Sequence, residues 1–281
     1  MSGGQSQTAA AIVRQAARRG EYRGQTSGVS PGFVQANIAI VPAAQAELFA
    51  EYCALNAKAC PVLAISEPGD PSLPELGSDI DIRHDLPCYR IYRDGELAGE
   101  ANDVDALWRD DLVTFALGCS FTFEHALSEA GLSLRHVRLG RNVAMYRTSI
   151  QTAPVGPFGG PMVVSMRPFA EADVACAIAI SSRFGQMHGA PVHVGEPEAI
   201  GVADLGNPDY GDAVPIEQGE VPLFWACGVT SQAALQHARL PLFLAHAPGC
   251  MLVTDLPHRT YDGAVSSGWP RPHPTIRFRR T

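Results

Sequence analysis

The alternation of apolar and polar residues along the chain predicts strands interleaved with helices. Apolar runs of strand length, each bounded by turn residues, lie at 33–41, 60–66, 161–168, 221–228 and in two stretches of 240–255. Segments with helical spacing of apolar residues lie at 8–19, 42–56, 104–117, 120–131, 170–184 and 231–238. Ser120 and Thr230 stand where side-chain caps of two of these helices are expected.

The middle of the chain adds shorter extended segments. Residues 88–100 alternate around Asp94-Gly95, a strong hairpin signal. Residues 136–150 predict two strands that meet at Gly140, and 200–212 predict a strand followed by a turn. Residues 188–197 predict a loop with a short extended core.

This order of elements predicts an α/β protein with two lobes: a three-layer α/β/α sandwich and a smaller two-layer α/β lobe. We expect residues 1–281 to form one compact unit. Within it, residues 1–86 and 220–281 are predicted to build the sandwich, and residues 87–219 the inserted lobe.

Composition narrows the class of protein. Of the 281 residues, 46% are hydrophobic and 18% are charged, below the usual ~25% charged, which excludes a disordered chain. The net charge of -8 argues against nucleic-acid binding, and no apolar stretch is long enough to span a membrane. The seven cysteines form no CxxC motif, which predicts reduced thiols in a cytoplasmic protein. Oligomeric state stays open, with a homo-oligomer as one expectation.

Several enzyme classes lack their motifs in this chain. We find no GxGxxG between a strand and a helix, no GxxxxGK[ST], no GxSxG elbow and no HExxH. The GxSxG string at residues 28–32 lies in a predicted loop before a strand, not between a strand and a helix. Lys58 is the single lysine, which argues against a Schiff-base mechanism. We expect no cofactor.

Polar residues nevertheless cluster in predicted turns. Arg83 stands between acidic residues and can bind a carboxylate or form an internal ion pair. Cys119, Ser120 and Glu124 surround a predicted helix N-terminus, where a thiolate or a bound anion is stabilised. The alternative is a helix junction in which Cys119 fills the core.

Two further clusters contain arginines and histidines. Arg141 and Arg147 flank Asn142 and share one strand face, but a straight strand would hold the arginines roughly 20 Å apart. His188 and His193 are the preferred acid–base candidates because imidazole titrates near neutral pH. They are also candidates for half of a metal site, or for histidines that merely cap turns.

The last candidates stand at the ends of three apolar runs late in the chain. Cys227 and Thr230 follow one run, while His246 and Asp255 belong to the next two. Ligands of open α/β sheets bind at such strand ends.

Nine motifs together resemble the putative hydro-lyase family, also called the D-glutamate cyclase family. In chain order they are GFVQANIAIVP, DIRHDLPCYRIY, LGCSFTFE, GRNVAMYRT, GPMVVSMRP, SRFGQMHGAPVHVGEP, DYGD, GEVPLFWACGVTSQ and HAPGCMLVTD. The likeness covers about residues 15–257, with RHD where RTD is commoner and Ala144 where proline is frequent. It implies a two-lobed α/β fold and cleavage of a C–O bond with loss of water, in one type of member the cyclisation of D-glutamate to 5-oxoproline. It supplies no catalytic residue.

Residue chemistry suggests roles for such a reaction on a small carboxylic acid or amino acid. Arg83, Arg141 or Arg147 would hold a carboxylate, and His188 and His193 would share acid–base duty. Ser120 would stabilise an oxyanion. Cys119 or Cys227 as an acyl-carrying thiolate is a variant of this scheme. The rivals are α,β-elimination from a hydroxy acid, a non-catalytic carboxylate-binding protein, and a hydratase with a metal bound by His188 or His193.

Overall fold

The computed structural model describes residues 8–263, which form two antiparallel β-sheets with helices packed against them. The helices are α1 (Ala9–Arg18), α2 (Ala43–Leu55), α3 (Phe121–Glu129), α4 (Arg135–Arg138), α5 (Val174–Ser182) and α6 (Val229–His237). The strands are β1 (Phe33–Pro42), β2 (Val62–Ile65), β3 (Tyr89–Arg93), β4 (Glu96–Ala101), β5 (Leu112–Gly118), β6 (Ala144–Gln151), β7 (Pro161–Ala170), β8 (His193–Val194), β9 (Glu220–Ala226), β10 (Phe243–His246) and β11 (Leu252–Pro257).

The larger sheet has seven strands in the order β2-β5-β1-β10-β3-β4, and β11 pairs with β1 beside β10. The smaller sheet has the order β6-β7-β9-β8. Each ladder among these described strands is antiparallel. The predicted two-lobed α/β fold is therefore confirmed, and both of its sheets are antiparallel.

Helices cover both faces of the larger sheet. Successive residues of β1 point to opposite faces, and both faces are buried along the strand. Ile38 belongs to the apolar cluster that contains Phe123 of α3 and Ile180 of α5. Val41 belongs to the cluster that contains Phe49 of α2, so the central strand is enclosed between two helical layers.

Two predicted elements are wrong. The sequence pattern predicts a helix over residues 104–117, but they contain a short 3-10 turn at Asp105–Leu107 followed by β5. All seven residues of β5 are buried, so its apolar run fills a central strand between β1 and β2 rather than one helix face. In 136–150, the first predicted strand is instead α4, and only the second, β6, forms.

Residues 200–212 also differ from expectation. They form no continuous strand, and Tyr210 makes only an isolated bridge to Met145 of β6. The change from the larger to the smaller sheet falls between Gly118 and Ala144, not at residue 86, because β3, β4 and β5 pair within the larger sheet. Residues 264–281 of the predicted first sub-lobe lie outside the described residues.

The seven cysteines are all unbonded thiols. Within residues 8–263, the helices are too short or too polar to cross a lipid bilayer.

Candidate functional site

A small pocket opens where the two sheets meet, and it brings together five of the predicted site residues. Cys119, Ser120, Asn142, Cys227 and His246 all line it. The cavity volume is about 20 Å³, which is room for little more than one water molecule, so a larger ligand requires the lining side chains to move apart. The remaining lining residues are Asn37, Phe121, Val143, Met145, Val229, Gly249 and Met251.

Two helix N-termini meet at this pocket. Strand β5 leads into α3 through Cys119 and Ser120, and strand β9 leads into α6 through Cys227 and Gly228. Both helices therefore start two residues after a cysteine at a strand end. The first N–H groups of a helix have no partner within the helix and carry partial positive charge. Two such ends at one pocket favour an anionic ligand.

The two thiols are not poised as nucleophiles. Burial raises the pKa of Cys119 well above its usual value, although the Phe121 N–H donates to its sulfur. Burial raises the pKa of Cys227 to about 11, against a similar contact from Val229. Cys227 Sγ also lies 3.5 Å from Met145 Sδ. Both cysteines are protonated near neutral pH, so the geometry favours the core-filling interpretation of Cys119.

A buried arginine holds the hydroxyl of Ser120. Arg167 Nη2 donates to Ser120 Oγ over 2.9 Å, and Arg167 Nη1 donates to Ser165 Oγ over 3.0 Å. The Ser120 side chain does not cap α3, contrary to the prediction, because its backbone is already helical and its oxygen accepts from Arg167. The hydroxyl hydrogen of Ser120 is therefore free for another acceptor.

Glu124 balances the charge of Arg167. Arg167 Nε donates to Glu124 Oε1 over 2.9 Å, and His136 Nε2 lies 3.2 Å from the same oxygen. Burial acts to raise the pKa of Glu124, but the charges of Arg167 and His136 outweigh it and lower the pKa to about 2. Glu124 is thus ionised near neutral pH. Its carboxylate holds the guanidinium of Arg167 in place.

His246 is a neutral imidazole on the pocket wall. Ile38 N–H donates to Nδ1 over 3.0 Å, and Gln232 Nε2 donates to the His246 carbonyl over 3.0 Å. Burial lowers the pKa of His246 to about 4. Because a carboxylate bound nearby would raise that pKa again, this ring can gain a proton when an anion occupies the pocket.

Two glycines make room for the amides of Asn37 and Asn142. A Cβ atom on Gly228 would lie 2.1 Å from Asn37 Nδ2, and one on Gly249 would lie 2.7 Å from Asn142 Nδ2. Gly249 also has a left-handed φ of +87°. Asn37 Nδ2 donates to the Gly118 carbonyl over 2.7 Å. Close backbone approach, which only glycine permits, therefore sets the positions of two amides that line the pocket.

Comparison with known proteins identifies the family. Residues 113–255 match the D-glutamate cyclase family. The chain belongs to the D-glutamate cyclase family. Bacterial relatives named putative hydro-lyase include one from Verminephrobacter eiseniae, 58% identical over 88% of this chain and 90% of its own. Others come from Bordetella pertussis, at 60% identity over 85% and 87% of the two chains, and Jannaschia sp., at 58% over 88% and 93%. These names support a lyase of the hydro-lyase type.

The two histidines preferred from sequence lie outside the pocket of this D-glutamate cyclase family member. His188 is buried with a left-handed φ of +76°, and its Nδ1 lies 2.9 Å from the Lys58 carbonyl. His193 stands on β8, and its Nε2 lies 2.7 Å from the Glu196 carbonyl. Since neither lines the pocket, the geometry gives no support to a shared acid–base role.

The three candidate arginines have protein partners. Arg83 pairs with Asp81 at 2.7 Å and with Asp105 at 3.1 Å, which is the ion-pair alternative. Arg141 Nη1 donates to the Ala213 carbonyl over 2.7 Å. Arg147 Nη2 donates to the hydroxyl of Tyr210. The cation that contacts Ser120 of the pocket is Arg167, which the sequence patterns did not indicate.

Thr230 and Asp255 have structural contacts. Thr230 lies inside α6, which starts after Gly228, and its Oγ1 accepts from the Val163 N–H over 3.0 Å. Asp255 Oδ2 accepts from the buried guanidinium of Arg14 over 3.0 Å. These contacts tie helices α6 and α1 to the sheets.

An Asp255→Asn variant tests that placement. Because the charge of Arg14 loses one of its two carboxylate partners, we expect the free energy of unfolding to fall by about 1–3 kcal/mol, while turnover at saturating substrate stays unchanged. Urea denaturation and steady-state kinetics measure the two quantities. A selective rise in KM without loss of stability would instead place Asp255 at the ligand.

The buried histidines predict an acid-sensitive fold. Burial lowers the pKa of both His188 and His246 from 6.5 to about 4. Their contribution to stability is present above pH 6.5 and is lost as the pH falls toward 4, since only the unfolded chain takes up protons in that window. From pH 7 to pH 5 we expect a loss of about 2 kcal/mol per histidine. In His188→Asn one of the two histidines is gone, so urea denaturation should show roughly half of the combined loss of stability. Asparagine is chosen because it tolerates the left-handed backbone at this position.

Proposed function

We propose that this pocket binds D-glutamate and cyclises it to 5-oxoproline with release of water. The observation that carries the proposal is the Ser120 hydroxyl, which is held by Arg167 and stands between the N-terminal ends of α3 and α6. Positive potential from both helices and a free hydroxyl hydrogen suit the oxygens of a small dicarboxylic amino acid. The hydro-lyase names of the relatives agree with loss of water.

The reaction needs few groups. The amino nitrogen attacks the γ-carboxyl carbon, a C–N bond forms, and one C–O bond breaks. The ammonium gives up two protons, and both leave with the departing oxygen as water. His246 is the group on the pocket wall that can move a proton, and Ser120 donates to the oxygen that carries the developing charge. The amides of Asn37 and Asn142 are placed to orient the substrate's polar atoms.

An NMR time course tests the proposal. Purified protein is mixed separately with D-glutamate, L-glutamate and a panel of small hydroxy acids. We expect signals of 5-oxoproline to appear from D-glutamate. An alkene signal from a hydroxy acid, with D-glutamate unchanged, would replace cyclisation by elimination. Binding of D-glutamate without turnover would make the protein a carboxylate-binding protein.

A paired variant experiment tests the site. Ser120→Ala removes the oxyanion donor, and we expect turnover to fall about 100-fold or more with little change in fold. His193→Ala is the matched control outside the pocket and should retain turnover. Loss of turnover in His193→Ala with normal turnover in Ser120→Ala would reverse the assignment. Progress curves at saturating substrate and circular dichroism of both variants provide the measurements.

A further inference from the structure

A second cluster of ligand-type side chains lies away from the pocket. It contains His125 and Glu129, one turn apart on α3, and His258, which opens the short turn His258–Tyr261 after β11. One ligand atom from each of the three lies within 4.8 Å of the others. His125 Nε2 is 3.5 Å from Glu129 Oε1, and His258 Nε2 is 3.9 Å from Glu129 Oε2.

These distances are close to those of a metal site. Two ligands of a tetrahedral zinc ion, bound at about 2.0–2.1 Å, lie roughly 3.3 Å apart. The His125 and Glu129 side chains are 30% and 48% exposed, so they have room to rotate toward that spacing. Two imidazoles and one carboxylate form a recognised zinc ligand set, with a fourth position left for water.

The tautomer of His258 is fixed for ligation. The Gly32 carbonyl accepts the backbone N–H of His258 over 2.8 Å, and it lies 3.1 Å from Nδ1 of the same residue. A carbonyl can only accept, so Nδ1 donates to it, and the Nε2 lone pair on the side facing Glu129 is left for a metal ion. Metal-binding histidines are oriented in this way by their second nitrogen. Gly32 itself has a left-handed φ of +87°.

We propose that His125, Glu129 and His258 bind a divalent transition metal of the zinc class. The ion ties the chain after β11 to α3, the helix whose N-terminal end forms part of the pocket. His125 also lines a neighbouring cavity of about 170 Å³, which gives the fourth position access to solvent. Arg259 Nη2 lies 3.8 Å from Glu129 Oε1, but its side chain is 67% exposed and can swing away.

Titration of the tag-free, chelator-treated full chain with zinc chloride tests the proposal. Calorimetry should give one site, and the melting temperature should rise with zinc concentration because the ion binds the folded state. His125→Ala and Glu129→Gln should each weaken binding by at least tenfold, since even second-shell changes cost about 10–100-fold. His84→Ala, a histidine paired with Asp105 elsewhere, should bind zinc normally. Arg259→Ala should bind it at least as tightly.

Cobalt distinguishes this site from the thiols. Cobalt bound to imidazole and carboxylate lacks the thiolate-to-cobalt band in the near ultraviolet, whereas binding at the cysteines would show it. No binding by the wild-type chain, a thiolate band, or unchanged affinity in both His125→Ala and Glu129→Gln would overturn the proposal. Because these two side chains are partly exposed, their variants should fold normally.

Discussion

An Arg167→Met variant should lose both stability and turnover. The guanidinium is buried and donates to Glu124, Ser120 and Ser165. Methionine fills a similar volume but leaves the Glu124 carboxylate buried beside the His136 ring without the guanidinium. Removing one partner of a buried ion pair lowers the free energy of unfolding by about 3–5 kcal/mol. Turnover should fall at least about 100-fold, because the Ser120 hydroxyl loses its orientation.

A second substitution separates these two effects. In Arg167→Met with Glu124→Leu, the uncompensated charge is gone, and replacement of buried ion pairs by apolar residues is often neutral for stability. We expect urea denaturation to show most of the lost stability restored, while turnover stays low. If the double variant regained turnover as well, Arg167 would act only through stability. A single variant within about 1 kcal/mol of wild type would contradict the importance of the network.

Arg167 also shows what sequence patterns can and cannot reveal. Local chemistry singled out Cys119, Ser120, Asn142, Cys227 and His246 as candidates from separate segments, and the structure gathers them in one pocket. An arginine within the apolar run 161–168, like Asn37 within 33–41, signals a buried polar contact. That signal does not name the partner, because Arg167 and Glu124 are 43 residues apart in the chain.

The wrong elements have a related cause. Residues 112–118 are all buried in the structure. Because a nearly continuous apolar run has no period of its own, it fits a helical pattern as well as a strand pattern. Pairing with β1 over seven residues decides the outcome, and this pairing is long-range. The same applies to His188 and His193, whose spacing suggested a shared site. Each ring instead contacts a carbonyl, and those contacts depend on tertiary packing.

Gly228→Ala should abolish most turnover while leaving the fold recognisable. Its new Cβ would stand 2.1 Å from Asn37 Nδ2 and 2.3 Å from Asn37 Cγ. The backbone φ of -61° is acceptable for alanine, so the effect comes from the clash and not from strain. The Asn37 amide must leave its bond to the Gly118 carbonyl, which displaces the wall between the ends of α3 and α6. Such overpacking lowers the free energy of unfolding by about 1–3 kcal/mol.

Two further variants of this chain serve as controls for Gly228→Ala. Gly99 lies on β4, and a Cβ atom added there would meet nothing within 4 Å, so Gly99→Ala should retain stability and turnover. Combining Gly228→Ala with Asn37→Ala removes the clashing amide, and urea denaturation should then show recovered stability without recovered turnover. Near-normal turnover in Gly228→Ala would mean that the junction of β9 and α6 does not shape the reacting site. Since the atoms nearest to the new Cβ all belong to Asn37, a matching loss of turnover in Asn37→Ala alone, with Gly228 in place, assigns the Asn37 amide itself to the substrate.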